Sequence, residues 1–178
     1  EGEIWCKRFP WKLSQLKDAL SASQAATAKE GWYPIFFENH DQNRAMHRYF
    51  PEGTDPKVAA KALATVLFTL RGTPFVYEGE EIGMTNTAFP KIEDYNDIST
   101  HGQYEYALKE GLSPEEALKA VQFQSRDNAR TPMQWTAGES AGFTTGTPWL
   151  GVNHNHAAIN VEAEREDEGN CYLPILLS

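Results

Sequence analysis

Cysteine is scarce, 2 among 178 residues. Cys6 and Cys171 lie near opposite ends, and neither belongs to a CxxC pair or a Cys/His ligand spacing. The expectation is therefore two free thiols in a reducing, cytoplasmic setting, with no zinc site. Positive charge is also short, with 16 Lys and Arg against 25 Asp and Glu for a net charge of −9. No basic patch offers to neutralise phosphates, which argues against a nucleic-acid partner. Long apolar runs are missing, and Glu1-Gly2-Glu3-Ile4 has neither the basic start nor the apolar centre of a signal peptide. The expectation is a soluble chain with no membrane partner. The length suits one domain with a sizeable core.

What is present centres on Trp32 to Arg44. The apolar run Tyr33 to Phe37 is short, aromatic-rich and without the spacing of a one-faced helix, so it reads as a strand buried on both sides. Glu38, Asn39, His40 and Asp41 follow at once and set an acid, an imidazole and an amide at one sheet edge. In α/β proteins the carboxyl ends of parallel strands are where ligands bind. The plainer alternative is that Asn39 and Asp41 make a turn with His40 an ordinary edge residue.

Before this strand, Leu13, Leu16 and Leu20 recur at helical spacing, and the helix runs to Ala28 before Gly31 ends it. After it, Asp55 and Pro56 offer a cap and a first helical residue. Val58, Ala62, Leu63, Val66, Leu67 and Leu70 then trace one broad face up to Gly72. Thr73 to Tyr77 reads as a second buried strand, ending in Glu78, Gly79, Glu80 and Glu81. Strand, helix, strand at this spacing is a βαβ unit with parallel strands. Both acidic ends then share one edge, in the repeat of a (β/α) barrel. Helices over 100–110 and from the Ser113-Pro114-Glu115-Glu116 cap form a helical insertion at that edge. Ser125 to Asn160 has the composition of an ordered loop, with Met133, Trp135, Phe143, Trp149 and Ile159 as apolar anchors. His154 and His156 lie in a turn-rich stretch without further ligands, so no metal is expected there.

Three segments carry a family resemblance. Phe37-Glu38-Asn39-His40-Asp41-Gln42-Asn43-Arg44, then Gly72-Thr73-Pro74-Phe75-Val76-Tyr77-Glu78-Gly79-Glu80-Glu81-Ile82-Gly83-Met84-Thr85-Asn86, then Ser125-Arg126-Asp127-Asn128-Ala129-Arg130-Thr131-Pro132-Met133-Gln134-Trp135 each resemble a motif of glycoside hydrolase family 13, the α-amylase superfamily. The similar branch holds oligo-1,6-glucosidases and α-glucosidases, with dextran glucosidase and trehalose-6-phosphate hydrolase. The resemblance implies an α/β fold, a partial (β/α)8 TIM barrel made of strands seven and eight with flanking helices, plus a long loop and helical insertion. Residues 1–161 would be the C-terminal part of the catalytic barrel, and residues 162–178 an atypical or truncated tail.

In such enzymes an aspartate after the fourth strand attacks the anomeric carbon and a glutamate after the fifth protonates the leaving oxygen, the two lying roughly 5 to 5.5 Å apart. The resemblance puts both upstream of Glu1, so this chain alone is expected to be inactive and to need the N-terminal barrel half as partner. It places the family's third acid, the transition-state stabiliser, on Asp41. His40 resembles a histidine that donates to the same glucose, and Arg126 an arginine of the −1 subsite. Arg130 reads as structural, and Glu80 with Glu81 as architectural despite looking like an acid and base pair. The implied activity is that of a retaining α-glucosidase on short α-1,6 or α-1,4 glucosides, with no cofactor and no metal. The alternative is a catalytically incomplete carbohydrate-binding fragment or a truncated gene product. Asn43 departs from a common proline, and Ser99 stands where oligo-1,6-glucosidases usually have glutamate, which puts the α-1,6 preference in question.

Overall fold

A computed structural model describes residues 4–7 and 11–166. Helix α1, Leu13–Ala26, leads to strand β1, Pro34–Ile35. A short helix α2, Ala45–Tyr49, and the longer α3, Pro56–Thr69, come before strand β2, Thr73–Pro74. The strands are parallel, with Pro34 opposite Thr73 and Ile35 opposite Pro74. The amide of Thr73 donates to the Tyr33 carbonyl at 3.0 Å and that of Phe75 to the Ile35 carbonyl at 2.7 Å. The βαβ unit and its shared edge are thus present. Gly72 is required at this pairing, because a Cβ there would sit 2.4 Å from the Tyr33 oxygen.

Neither strand is buried on both sides. Ile35 and Phe37 point inward to Met46, Ala59, Leu63 and Leu67, whereas Phe36 is 47% and Phe75 56% exposed. The reason is one-sided cover: α2 and α3 supply apolar side chains to a single face of a two-stranded sheet. The ladder is correspondingly shorter than the apolar runs that contain it. In α3 the buried residues are Ala59, Leu63, Ala64 and Leu67. Val58 and Val66, expected on the packed face, are exposed, since α3 meets the sheet along a narrow stripe spaced by four. Asp55 caps the helix by accepting from the Lys57 amide, and the helix stops at Thr69, ahead of Gly72.

Helices α4, Ile98–Lys109, and α5, Pro114–Gln124, pack on one another as an insertion after β2. Ser113 and Glu116 form the capping box expected from their spacing. The stretch from Ser125 to Asn160 is ordered by 3-10 turns, including Arg126–Ala129 and His154–Ala157. Its anchors differ in part from those expected. Met133 is buried beside Ile82 and Met84, with Ile159 against them, but Trp135, Phe143 and Trp149 are exposed. Buried Asn128, Gln134, Asn153 and Asn160 do the holding, through hydrogen bonds to backbone and amide groups.

A last helix, α6, Val161–Glu166, begins at the boundary assigned to the barrel part. The rest of the expected atypical tail, 167–178, with Cys171, lies outside the described residues. No helix among the described residues is long and apolar enough to cross a membrane.

Candidate functional site

The site grows from the end of β1. Glu38 is buried, and its carboxylate accepts from Arg44 Nη1 at 2.9 Å and from the Ala45 amide at 2.7 Å. Arg44 is itself fully buried and donates onward to the Glu78 carbonyl at 2.7 Å and the Asn128 carbonyl at 3.3 Å. One guanidinium therefore ties the end of β1, the end of β2 and the 126–129 turn together. Such a pair is costly to break, because removing one partner strands a buried charge. Arg44 stands inside the first motif, yet the residue pattern gives it no role; only its burial does. Gly79 adapts the other strand end, with φ of 84° and the Met84 sulfur 2.4 Å from where a Cβ would sit.

Between Glu38 and Arg44 the chain turns outward. Asn39 Oδ1 accepts from the Asp41 amide at 2.8 Å, which closes a turn over 39–41 and presents His40 and Asp41 to solvent. The Asp41 side chain is 54% exposed. Its Oδ1 accepts from Arg126 Nη1 at 2.9 Å and Arg130 Nη2 at 3.2 Å, and its Oδ2 lies 3.2 Å from His40 Nε2. Arg130 Nε also donates to the His40 carbonyl at 2.8 Å. The three residues expected from sequence, Asp41, His40 and Arg126, are thus brought together, and Arg130 joins them at the same oxygen. Pairs this exposed contribute at most about 1 kcal/mol to stability, so their effect is to fix geometry.

The arginines are delivered by the 3-10 turn. Ser125 caps it, and the fully buried Asp127 accepts the Asn96 and Asp97 amides at 2.8 and 2.9 Å. Asp97 was not foreseen as a site residue. Its Oδ1 takes Arg126 Nε at 2.7 Å and Nη2 at 2.6 Å. Burial works against the charge on Asp97, but the Arg126 hydrogen bonds and the Thr100 contacts prevail and hold its pKa below the usual carboxylate range.

Glu80 is buried, accepts the Tyr77 amide at 3.1 Å, and leaves Oε1 without a hydrogen-bond partner. Burial, with the Glu38 charge next, pushes its pKa up to about 7. That placement suits the architectural reading of Glu80, since a soluble ligand does not reach it. His156 Nδ1 pairs with the Asn153 carbonyl at 3.0 Å. No grouping of three or more His, Cys, Asp or Glu among the described residues is arranged to hold a metal ion.

The family described as "Alpha amylase, catalytic domain" matches residues 3–175. The chain is 46% identical over 172 residues to an oligo-1,6-glucosidase of Parageobacillus thermoglucosidasius, covering 96% of this chain and 30% of that protein. It is 41% identical over 172 residues to a trehalose-6-phosphate hydrolase of Bacillus subtilis strain 168, again 96% and 30%. The isomaltulose synthase of Erwinia rhapontici NX5, solved as a mutant with its natural substrate sucrose, superposes with a TM-score of 0.82 at 39% identity, over 94% of this chain and 30% of that one. The chain thus spans about 30% of the length of these relatives. With a match running over nearly its whole length, the chain belongs to the α-amylase catalytic-domain family, glycoside hydrolase family 13.

Proposed function

We propose that this chain is the C-terminal part, strands seven and eight, of the barrel of a retaining α-glucosidase that acts on short α-glucosides. Residues 1–161 are read as the C-terminal part of the barrel and residues 162–178 as an atypical or truncated tail. Asp41 grips the hydroxyls of the −1 glucose and strengthens that grip as the ring flattens toward an oxocarbenium ion, while nucleophile and general acid come from earlier strands. His40 and Arg126 bind the same sugar. Arg130 shares the task of holding Asp41. The observation that carries this reading is the Asp41 carboxylate at the rim of the parallel pair, with Oδ1 clamped by two guanidinium groups and Oδ2 turned toward His40. The clamp keeps one oxygen fixed and the other presented to a ligand.

The test is hydrolysis of p-nitrophenyl α-glucoside by a polypeptide that carries this chain together with the first six strands of such a barrel. Asp41→Asn is expected to lower kcat by roughly 10²- to 10³-fold with little change in KM, as for a contact realised mainly in the transition state. An unchanged rate in Asp41→Asn removes the assignment. Isomaltose binding without turnover in the same polypeptide would instead mark a carbohydrate-binding module.

A further inference from the structure

Asp97 divides its carboxylate between two tasks. Oδ2 accepts the Thr100 amide at 3.1 Å and the Thr100 hydroxyl at 3.2 Å, which caps α4. Oδ1 is given to Arg126, through Nε and Nη2. Arg126 is thereby held at two of its three nitrogens, and the third, Nη1, is the one that reaches Asp41. The holder is itself fixed: the Asp97 side chain is 1% exposed, and Thr100 Oγ1 pairs at 2.8 Å with Ser125 Oγ, which caps the turn bearing Arg126. A helix cap needs one carboxylate oxygen and no negative charge, since asparagine caps as well as aspartate. The second oxygen and the charge are surplus to that role.

We infer that Asp97 is the positioning residue for Arg126, so that the α4–α5 insertion sets where the Asp41 clamp stands at the rim. Without the Asp97 carboxylate, Arg126 is a long, partly exposed side chain with many rotamers and one charged contact, and its hold on Asp41 becomes intermittent. The consequence for ligand affinity rests on the glucoside site proposed above; the arrangement of Arg126 does not.

Arginine Nε–H exchange, followed by NMR on the complete ¹⁵N-labelled chain, reads the arrangement directly. Asp97→Asn keeps the cap but turns an amide donor toward a guanidinium, whereas Asp97→Glu keeps the charge but overshoots the cap. Positioning predicts Arg126 protection in the order wild type, Asp97→Glu, Asp97→Asn, with about a tenfold loss in the last. Capping alone predicts wild type and Asp97→Asn equal, with Asp97→Glu below both, and that order overturns the inference. Should Asp97→Asn fail to fold, Asp97→Ser keeps the cap without the carboxylate and is read in the same way.

Calorimetry with 1-deoxynojirimycin, on the polypeptide that also carries the first six strands and on the same Asp97 variants of it, separates the two proposals. Binding weakened about tenfold in Asp97→Asn, the worth of one charged hydrogen bond, supports both. Absence of binding by the wild type, with Arg126 protection in the expected order, sinks the glucoside site and leaves the positioning standing. Binding with full Arg126 protection in Asp97→Asn sinks the positioning and leaves the site.

Discussion

Glu80 is one residue through which pH acts on this fold. Burial and the neighbouring Glu38 and Glu81 charges raise its pKa to about 7, against the pull of the Tyr77 amide and Arg44. In the unfolded chain the same group releases its proton near the ordinary 4.5. Between those values the folded state binds more protons, so this contribution to stability is full below pH 4.5 and is lost as pH rises through about 7. The loss amounts to about 3 kcal/mol. Glu80→Gln should raise the urea midpoint at pH 8 relative to wild type and leave the pH 4 midpoint nearly unchanged. A parallel pH profile in the variant would show that Glu80 does not titrate in this range. Asp41 lies in the opposite setting, exposed and clamped by two guanidinium groups, whereas Glu80 is closed off from solvent.

Helices and strands were unequally legible. The α5 cap was readable because Ser113, Pro114 and Glu116 are near neighbours whose chemistry is local, and the Asp55–Pro56 start of α3 was readable for the same reason. Ser113→Ala should cost about 1 kcal/mol, read as a lowered melting temperature. Leu67→Ala, at a fully buried position of α3, should cost about 2–5 kcal/mol and test whether the narrow stripe is the true packed face. Val58→Ala, at an exposed position of the same helix, should change stability by less than about 0.5 kcal/mol. Strand extent was not readable, because a ladder depends on what lies across from it, and here the pairing covers two residues on each side. Asp41, His40 and Arg126 are candidates that the motifs single out. Asp97 was missed because it stands 29 residues from Arg126, and no periodicity links a helix cap to a distant guanidinium. Of the apolar anchors expected over 125–160, Met133 and Ile159 pack inward while Trp135, Phe143 and Trp149 do not, because composition counts the tryptophans but not the amides that fill the interior.

At the scale of the whole molecule, the sheet has one covered face and one open one. Tyr33, Phe36 and Phe75 stand exposed beside a two-stranded parallel ladder. Apolar surface next to unpaired strand edges invites pairing with another chain. Sedimentation velocity should therefore show association that grows with concentration. The double substitution Phe36→Lys with Phe75→Lys should reduce it without lowering the melting temperature, and a wild-type chain that stays monomeric at high concentration would contradict this. Cold bears unequally on the two kinds of packing described above. Attraction between hydrocarbon groups fades on chilling. The cluster of Ile35, Phe37, Leu63 and Leu67 is made of such groups, whereas Asn128, Gln134, Asn153 and Asn160 brace the neighbouring stretch through amides. On chilling, the apolar platform beneath Asp41 is therefore expected to weaken ahead of the amide-braced stretch.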